Sequence, residues 1–317
     1  MILVSVIIPA YNCAPYISET LDSVLNQSFQ NYEIVVVNDG SEDTAELKHV
    51  LESYGSRIRY IEGENRGPAA ARNTGVRETK GEFLAFLDSD DIWFADFIAE
   101  QLRFFDENPS ADMVCADCVF FGAGELQGRS WQSLDPIEPP VTFEKILPTH
   151  GGAFASFSLL RRSIVEKAGL FDERLRVCED YNYWLRLLHL GGKLAYSSRI
   201  LGKRRVHAAS LTYDAGIVLP HAILALEKLA TELNPVSREA DMVRREIAAS
   251  RSRLASREGR RKLNARDYNG AKASFAAAHA EVSSIKFSLT LLGLRWFPAC
   301  TRWAIMRRDQ SLTKQSR

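Results

Sequence analysis

The first ninety residues repeat one pattern. A short, unbroken apolar run is followed by a polar break and then by apolar positions spaced three and four apart. Leu3 to Ile8, Glu33 to Val37, Arg57 to Glu62 and the run opening at Phe83 read as strands, the first, second and fourth apolar enough to be covered on both faces. Between them, Ile17, Leu21, Val24 and Leu25 mark one helix face, and Leu47, Val50, Leu51 and Tyr54 another, with Gly55 placed to stop the chain. Pro68 suits the first turn of a third helix, which Gly81 ends. Alternating strands and helices predict an α/β fold with a mostly parallel sheet and right-handed crossovers. The first strand is expected to break at Pro9.

In such sheets ligands sit beyond the carboxyl ends of the strands. Tyr11 and Asn12 follow the first strand, Asp39 the second, and Asp88, Asp90 and Asp91 the fourth, so these polar groups converge on one edge. Taken singly, Asp39 reads as a helix-start residue, and Asp-Ser-Asp-Asp as an acidic turn capping the next helix. Together they suggest a nucleotide site, with the Tyr11 ring under a base and the Asp39 carboxylate facing base N–H groups. The carboxylates Asp88 and Asp90 suit a hard divalent cation, Mg2+ or Mn2+, on phosphate oxygens. Neither of the common Gly-rich phosphate loops occurs, so metal and basic side chains must hold the phosphates.

Farther along, Asp112 to Phe121 reads as another strand. Gly122 to Gly152 lacks periodicity and is longer than an ordinary connection, which reads as an active-site loop or a disordered segment, a loop facing an acceptor being favoured. Tyr181, Trp184, Leu185 and Leu188 then mark a helix that opens with Glu179 and Asp180. From about Ile217 the chain turns rich in Ala, Arg and Leu, which predicts a helical extension. The expected domains are 1–215 and 216–317. Ala271 and Phe275 resemble part of a tetratricopeptide helix, but one copy makes no solenoid. Pro298 must kink or divide the last apolar segment.

Net charge is zero, yet residues 241–317 hold 17 Lys+Arg against 6 Asp+Glu, and the remainder 23 against 34. An acidic body argues against nucleic acid as a partner. The basic tail suits an anionic membrane surface, RNA or the acidic body itself, and Ile285 to Arg308 has the composition of an interfacial helix or of one packed on that body. Five scattered cysteines, an odd number, suit a reducing compartment, and Cys115 with Cys118 reads as a pair of buried structural thiols. No leader or membrane-spanning segment is read, so the expected location is cytoplasmic, with peripheral contact at the inner face of the cytoplasmic membrane.

Val4 to Asn12, Val37-Asn38-Asp39-Gly40-Ser41, Gly67 with Ala71-Arg72-Asn73, and Gly81 to Asp91 resemble, in order and spacing, the successive motifs of the family 2 glycosyltransferases. Gly169-Leu170-Phe171-Asp172-Glu173 followed by Glu179-Asp180 resembles the family's acceptor-side motif, and Arg205-Val206-His207 with Ser210-Leu211-Thr212 its closing motif. The resemblance covers residues 2–212. It implies a GT-A fold, a nucleoside-diphosphate sugar donor with a UDP-sugar favoured, Mn2+ or Mg2+, and inversion at the anomeric carbon. On the same grounds Asp180 is the general base; Pro9, Tyr11, Asp39, Arg72, Asp88 and Arg205 contact the nucleotide sugar; and Asp90, Asp88 and His207 hold the metal. Asn38 stands where many members have Asp. The Gln-x-x-Arg-Trp element of processive synthases is absent, which implies one transfer per encounter. A glycan or lipid-linked hydroxyl is the expected acceptor, in cell-surface glycan or polysaccharide synthesis. A Mg2+-dependent phosphatase or nucleotidyltransferase and a non-catalytic sugar-nucleotide-binding protein are the rival readings.

Overall fold

The structure, a computed structural model, describes residues 2–124, 126–149, 155–207 and 215–315. Two compact units divide the chain, residues 1–225 and 226–317. The first is built on an eight-stranded sheet. Its strands are β1 (Val4–Ala10), β2 (Tyr32–Asp39), β3 (Arg59–Gly63), β4 (Phe83–Phe86), β5 (Ile92–Trp93), β6 (Met113–Gly122), β7 (Ser158–Arg161) and β8 (Leu194–Val206), in the order β3-β2-β1-β4-β7-β6-β8-β5. The pairs among β1 to β4 are parallel, as is β6 with β8. β7 runs antiparallel to both β4 and β6, and β5 antiparallel to β8. The sheet is thus mostly parallel with antiparallel pairs in its second half, a mixture common in α+β and doubly wound folds.

The apolar runs have two buried faces because helices cover both. Val4, Val6 and Ile8 of β1 join the main core with Ile17, Leu21 and Val24 of α1 (Ile17–Leu25), Leu47 and Leu51 of α2 (Thr44–Glu52), and Phe97, Ile98 and Phe105 of α4 (Phe97–Glu107). On the other face lies α3 (Pro68–Glu78), whose Ala71 packs against Val35 and Val37. A Cβ on Gly75 would stand 2.2 Å from Cγ2 of Ile7, so a glycine there lets α3 approach the central strand closely.

β1 does not break at Pro9 but continues to Ala10, with Pro9 opposite Val37. The Ile7 carbonyl accepts from Leu87, so odd residues of β1 turn their backbone groups toward β4. Because β4 ends at Phe86, the donor that Pro9 lacks falls where no strand waits for it.

The stretch after β6 is more ordered than its composition suggests. Its described part contains α5 (Trp131–Leu134) and α6 (Phe143–Ile146), each capped by a side chain, Ser130 and Thr142, and it buries Ile137, Val141, Phe143, Ile146 and Leu147. Glu125 and residues 150–154 lie outside the described residues. After β7 come α7 (Arg162–Ala168) and α8 (Glu179–His189). α8 buries Tyr181, Trp184 and Leu185 as its spacing predicts, and also Asn182, Tyr183 and Leu187, so it is covered nearly all round. The 13-residue β8 has no counterpart in the sequence reading. Cys115 and Cys118 are buried in β6.

α9 (Ala215–Glu232) begins in the first unit, where the Ala225 carbonyl accepts from Asn182. The second unit holds α10 (Arg238–Asn264), α11 (Tyr268–Glu281), α12 (Ile285–Trp296) and α13 (Pro298–Gln315). Leu263, Ala271, Phe275 and Leu294 form its core, and Gly259 admits the Phe275 ring, which a Cβ there would meet at 2.9 Å. Pro298 divides the last apolar segment into two helices. Among the described residues no helix is long and apolar enough to cross a membrane.

Candidate active site

The loops after β1 and β2 are tied together at the carboxyl edge. Asn12, at φ 50°, donates its backbone N–H to Ser41 Oγ (3.1 Å) and accepts at Oδ1 from the Glu42 N–H (2.8 Å). Asn38 is fully buried, and its amide donates to Thr44 Oγ1 (2.9 Å) and Tyr60 OH (2.8 Å). An ionised Asp could donate to neither, which gives the departure at this position a local reason. Asp39 is 6% exposed, and its two oxygens accept from the N–H groups of Arg66 and Gly67, each at 2.8 Å. It anchors the loop that leads into α3, and each oxygen retains a second acceptor direction. Tyr11, 45% exposed, stands at the same edge, two residues beyond the half-buried Pro9.

α3 joins the donor-side and acceptor-side motifs. Arg72 is 4% exposed; its Nη2 donates to Asp88 Oδ1 at 2.7 Å, and its Nη1 pairs with Glu179. One residue on, the Asn73 amide clamps the Phe171 backbone, donating to its carbonyl at 3.0 Å and accepting from its N–H at 2.9 Å. Burial works against a charged guanidinium at Arg72, but Asp88, Glu179 and Asp180 outweigh it and hold the pKa above the ordinary arginine value. Burial pushes the Glu179 carboxyl up while Arg72 pulls it back.

Asp88 to Asp91 form a turn closed by the Asp91 N–H on the Asp88 carbonyl (3.1 Å), and the turn leads into β5 rather than a helix. The capping role therefore does not apply. Asp91 points inward, 2% exposed, and its Oδ1 accepts from the Arg205 N–H at 2.9 Å. Asp90 Oδ2 lies 2.9 Å from Nε2 of His207, whose ring stacks on Tyr16 at 4.9 Å between centroids. Burial, then the nearby Asp88 charge, raises the pKa of Asp90. Among the described residues no three carboxylate, imidazole or thiol groups cluster as a complete ligand set. The carboxylates suit Mn2+ or Mg2+, ions that keep waters and complete their shell with substrate phosphates, and the imidazole favours Mn2+ of the two.

Asp180 opens α8. Cys178 before it adopts a left-handed conformation, φ 61°, which turns the chain so that Glu179 and Asp180 both enter the site in the first helical turn. Asp180 Oδ1 accepts from the Tyr181 N–H at 2.7 Å. Burial raises its pKa, offset in part by Arg72 and Arg204, while Asp88 adds to the rise. The candidate base therefore shares its electrostatic surroundings with the acidic turn.

The structure thus brings Arg72, Asp88, Asp90, Asp180 and His207 together, with Asp39 and Tyr11 on the neighbouring loops. Arg205 is engaged within the protein, its Nη2 lying 3.1 Å from Glu19 Oε2. Its guanidinium lies against Tyr16 and Phe121, 4.9 and 4.4 Å from their centroids, and its Nε donates to the Asp90 carbonyl at 2.9 Å, so it braces the turn. Arg204, on the opposite face of β8, adds positive charge toward Asp90, Asp91 and Asp180, beside that of His207 at Asp90 and of Arg72 at Asp180. Strand alternation distinguishes the two arginines, but only once β8 is recognised as a strand. Glu179 was legible merely as half of a Glu-Asp pair. Ser210-Leu211-Thr212 of the closing motif lie outside the described residues.

The sequence pattern described as Glycosyl transferase family 2 matches residues 5–169. The chain belongs to this family. A Rickettsia felis protein named as an uncharacterized glycosyltransferase is 36% identical over 213 residues, 65% of this chain, and the chain spans only 34% of that relative's length. The Escherichia coli protein named UDP-Glc:alpha-D-GlcNAc-diphosphoundecaprenol beta-1,3-glucosyltransferase is 34% identical over 188 residues, 59% of this chain and 70% of the relative. Among solved structures, S. aureus TarS in complex with UDP-GlcNAc superposes with a TM-score of 0.65 at 22% identity, covering 98% of this chain and 92% of that one. The family match and this likeness show the GT-A fold.

Proposed function

We propose that the protein is an inverting, divalent-metal-dependent glycosyltransferase that moves one sugar per encounter from a nucleoside-diphosphate donor, a UDP-sugar, to a hydroxyl of a glycan or lipid-linked acceptor. The observation that carries this reading is the placement of Asp90 with His207 beside Asp88, with Asp180 opening a helix into the same charge cluster. The E. coli relative, named for a UDP-glucose donor and a diphosphoundecaprenol-linked acceptor, supports the choice of substrates and a role in cell-surface glycan synthesis.

In the proposed mechanism Tyr11 and Asp39 seat the base, and Asp88, steadied by Arg72, faces the donor. Asp90 and His207, with Asp88, would hold the cation. Bound there, a divalent cation would neutralise charge on the diphosphate as it leaves. Arg204 adds a second positive charge from β8, and Arg205 keeps the turn in shape. Asp180 takes the acceptor hydroxyl proton as the oxygen attacks the anomeric carbon. The bond from that carbon to the diphosphate oxygen breaks on the opposite face, and the nucleoside diphosphate departs. A positioned base of this kind contributes roughly 10²- to 10⁴-fold.

The test is thermal unfolding with UDP, GDP, TDP and CDP and their sugars, each with and without Mn2+, followed by transfer assays with the sugars of the selected nucleotide. A ligand that binds only the folded state raises the midpoint with concentration. A metal-dependent rise selective for UDP is the expected result. A folded protein that no nucleotide stabilises would overturn the donor assignment.

A further inference from the structure

α12 carries two apolar faces, and its own unit uses only one of them. Phe287, Leu291 and Leu294 turn inward onto Leu263, Ala271 and Phe275. On the opposite side Ile285, Leu289, Leu292 and Trp296 are 76, 63, 56 and 63% exposed. At about 100° per residue these four fall within roughly 60° of one another, a single stripe along the helix. Phe297 at the corner and Trp303 on α13 are also exposed, at 67 and 61%. Scattered exposed leucines are ordinary, but a continuous stripe ending in aromatics marks a surface with a partner.

The charges beside the stripe say which partner. Lys286 and Arg295 stand on its two opposite flanks and are both exposed. Residues 285–308 include five basic side chains and no acidic one. Arg302 and Arg307, with Trp303 and Met306, line an open cleft of about 400 Å³. The Arg302 Nε is fixed on the Leu263 carbonyl at 2.9 Å, and the Arg307 guanidinium lies 4.9 Å from the Trp303 ring. An apolar stripe of Leu and Trp flanked by cations, on a helix too short and too polar to span a bilayer, is the form of a helix that lies in the headgroup layer.

We infer that α12 and the start of α13 form a docking surface for an anionic bilayer. The stripe enters the acyl boundary, Lys286 and Arg295 reach lipid phosphates on either side, and the arginine cleft receives an anionic headgroup. This rests on the second unit alone and is independent of the donor chemistry proposed above.

The experiment is flotation of the full chain with vesicles of phosphatidylcholine alone or mixed equally with phosphatidylglycerol, at low and high salt. The expected result is association with the anionic vesicles, weakened by salt. The triple variant Leu289→Ser, Leu292→Ser, Trp296→Ser should lower it by about 10-fold or more, and Lys286→Glu with Arg295→Glu should lower it without changing the apolar stripe. These positions are exposed, so an unchanged unfolding midpoint checks that the variants fold. Equal binding to neutral vesicles, no binding to either, or full binding by the triple variant would each overturn the inference. Self-association that the triple variant abolishes, with no vesicle binding by the parent, would assign the stripe to a second copy of the chain instead.

Discussion

His207 Nε2 and Asp90 Oδ2 stand 2.9 Å apart although 117 residues separate them in sequence. The contact exists because β8 returns along β6 and β5, bringing its end beside the acidic turn. His207→Ala and Asp90→Asn should each raise the Mn2+ concentration needed for half-maximal activity, His207→Ala by about 10- to 100-fold, while UDP binding without metal changes little. Titration of activity against Mn2+ checks this, and an unchanged midpoint in both variants would move the metal elsewhere.

Asp180→Asn should lower kcat by roughly 10²- to 10⁴-fold with donor affinity retained. Stability should not suffer. Burying a carboxylate costs free energy when it ionises, so at neutral pH the variant should unfold at the same temperature or slightly higher. Loss of turnover combined with a large drop in the midpoint would make Asp180 a structural residue.

The same carboxyl sets a pH limb. Burial raises its pKa, and a base works only when deprotonated, so kcat/KM should fall as pH drops, beginning above the ordinary Asp value of about 3.9. The sign is opposite for stability: a carboxyl that binds its proton more tightly in the folded state contributes on the acid side and loses that contribution as pH rises. A pH–rate profile for the parent and for Asp180→Asn, in which the residual rate lacks the limb, separates this group from other titrating groups.

Arg72→Met should be the most damaging single change near the site. It leaves Glu179 buried without its cation, and breaking a buried pair in this way costs about 3–5 kcal/mol. Arg72→Lys should recover only part of it, since an ammonium cannot fork to Asp88 and Glu179 together. Thermal unfolding of both variants, alongside Glu179→Gln, measures how much of the effect is charge left unpaired.

Gly75→Ala tests the approach of α3 to the sheet. Its new methyl would meet Ile7, and overpacking of this kind costs about 1–3 kcal/mol. A stable Gly75→Ala protein with full activity would show that the helix can shift without disturbing Arg72.

The alternation of apolar runs with helical spacings was enough for the class of fold, for strands β1, β2 and β4, and for helices α1, α2 and α8, because two-sided burial and one-sided burial leave different periods in the chain. The residues at the carboxyl edge were legible for the same reason: a strand end announces where its polar followers must lie. The break expected at Pro9 failed because proline's cost depends on whether a neighbour needs its donor, and that depends on where β4 stops. β8 escaped notice because its mixed polar and charged residues meet different neighbours along its length, so no single period survives. The roles of Arg204 and Arg205 could not be separated without it, nor could the Glu179–Arg72–Asp88 chain, whose members are joined by helix packing across 107 and 16 residues. Composition and period are local properties and were readable from residues in order; pairings of charge across distant segments arise only when the sheet order and helix faces put them within a few ångströms.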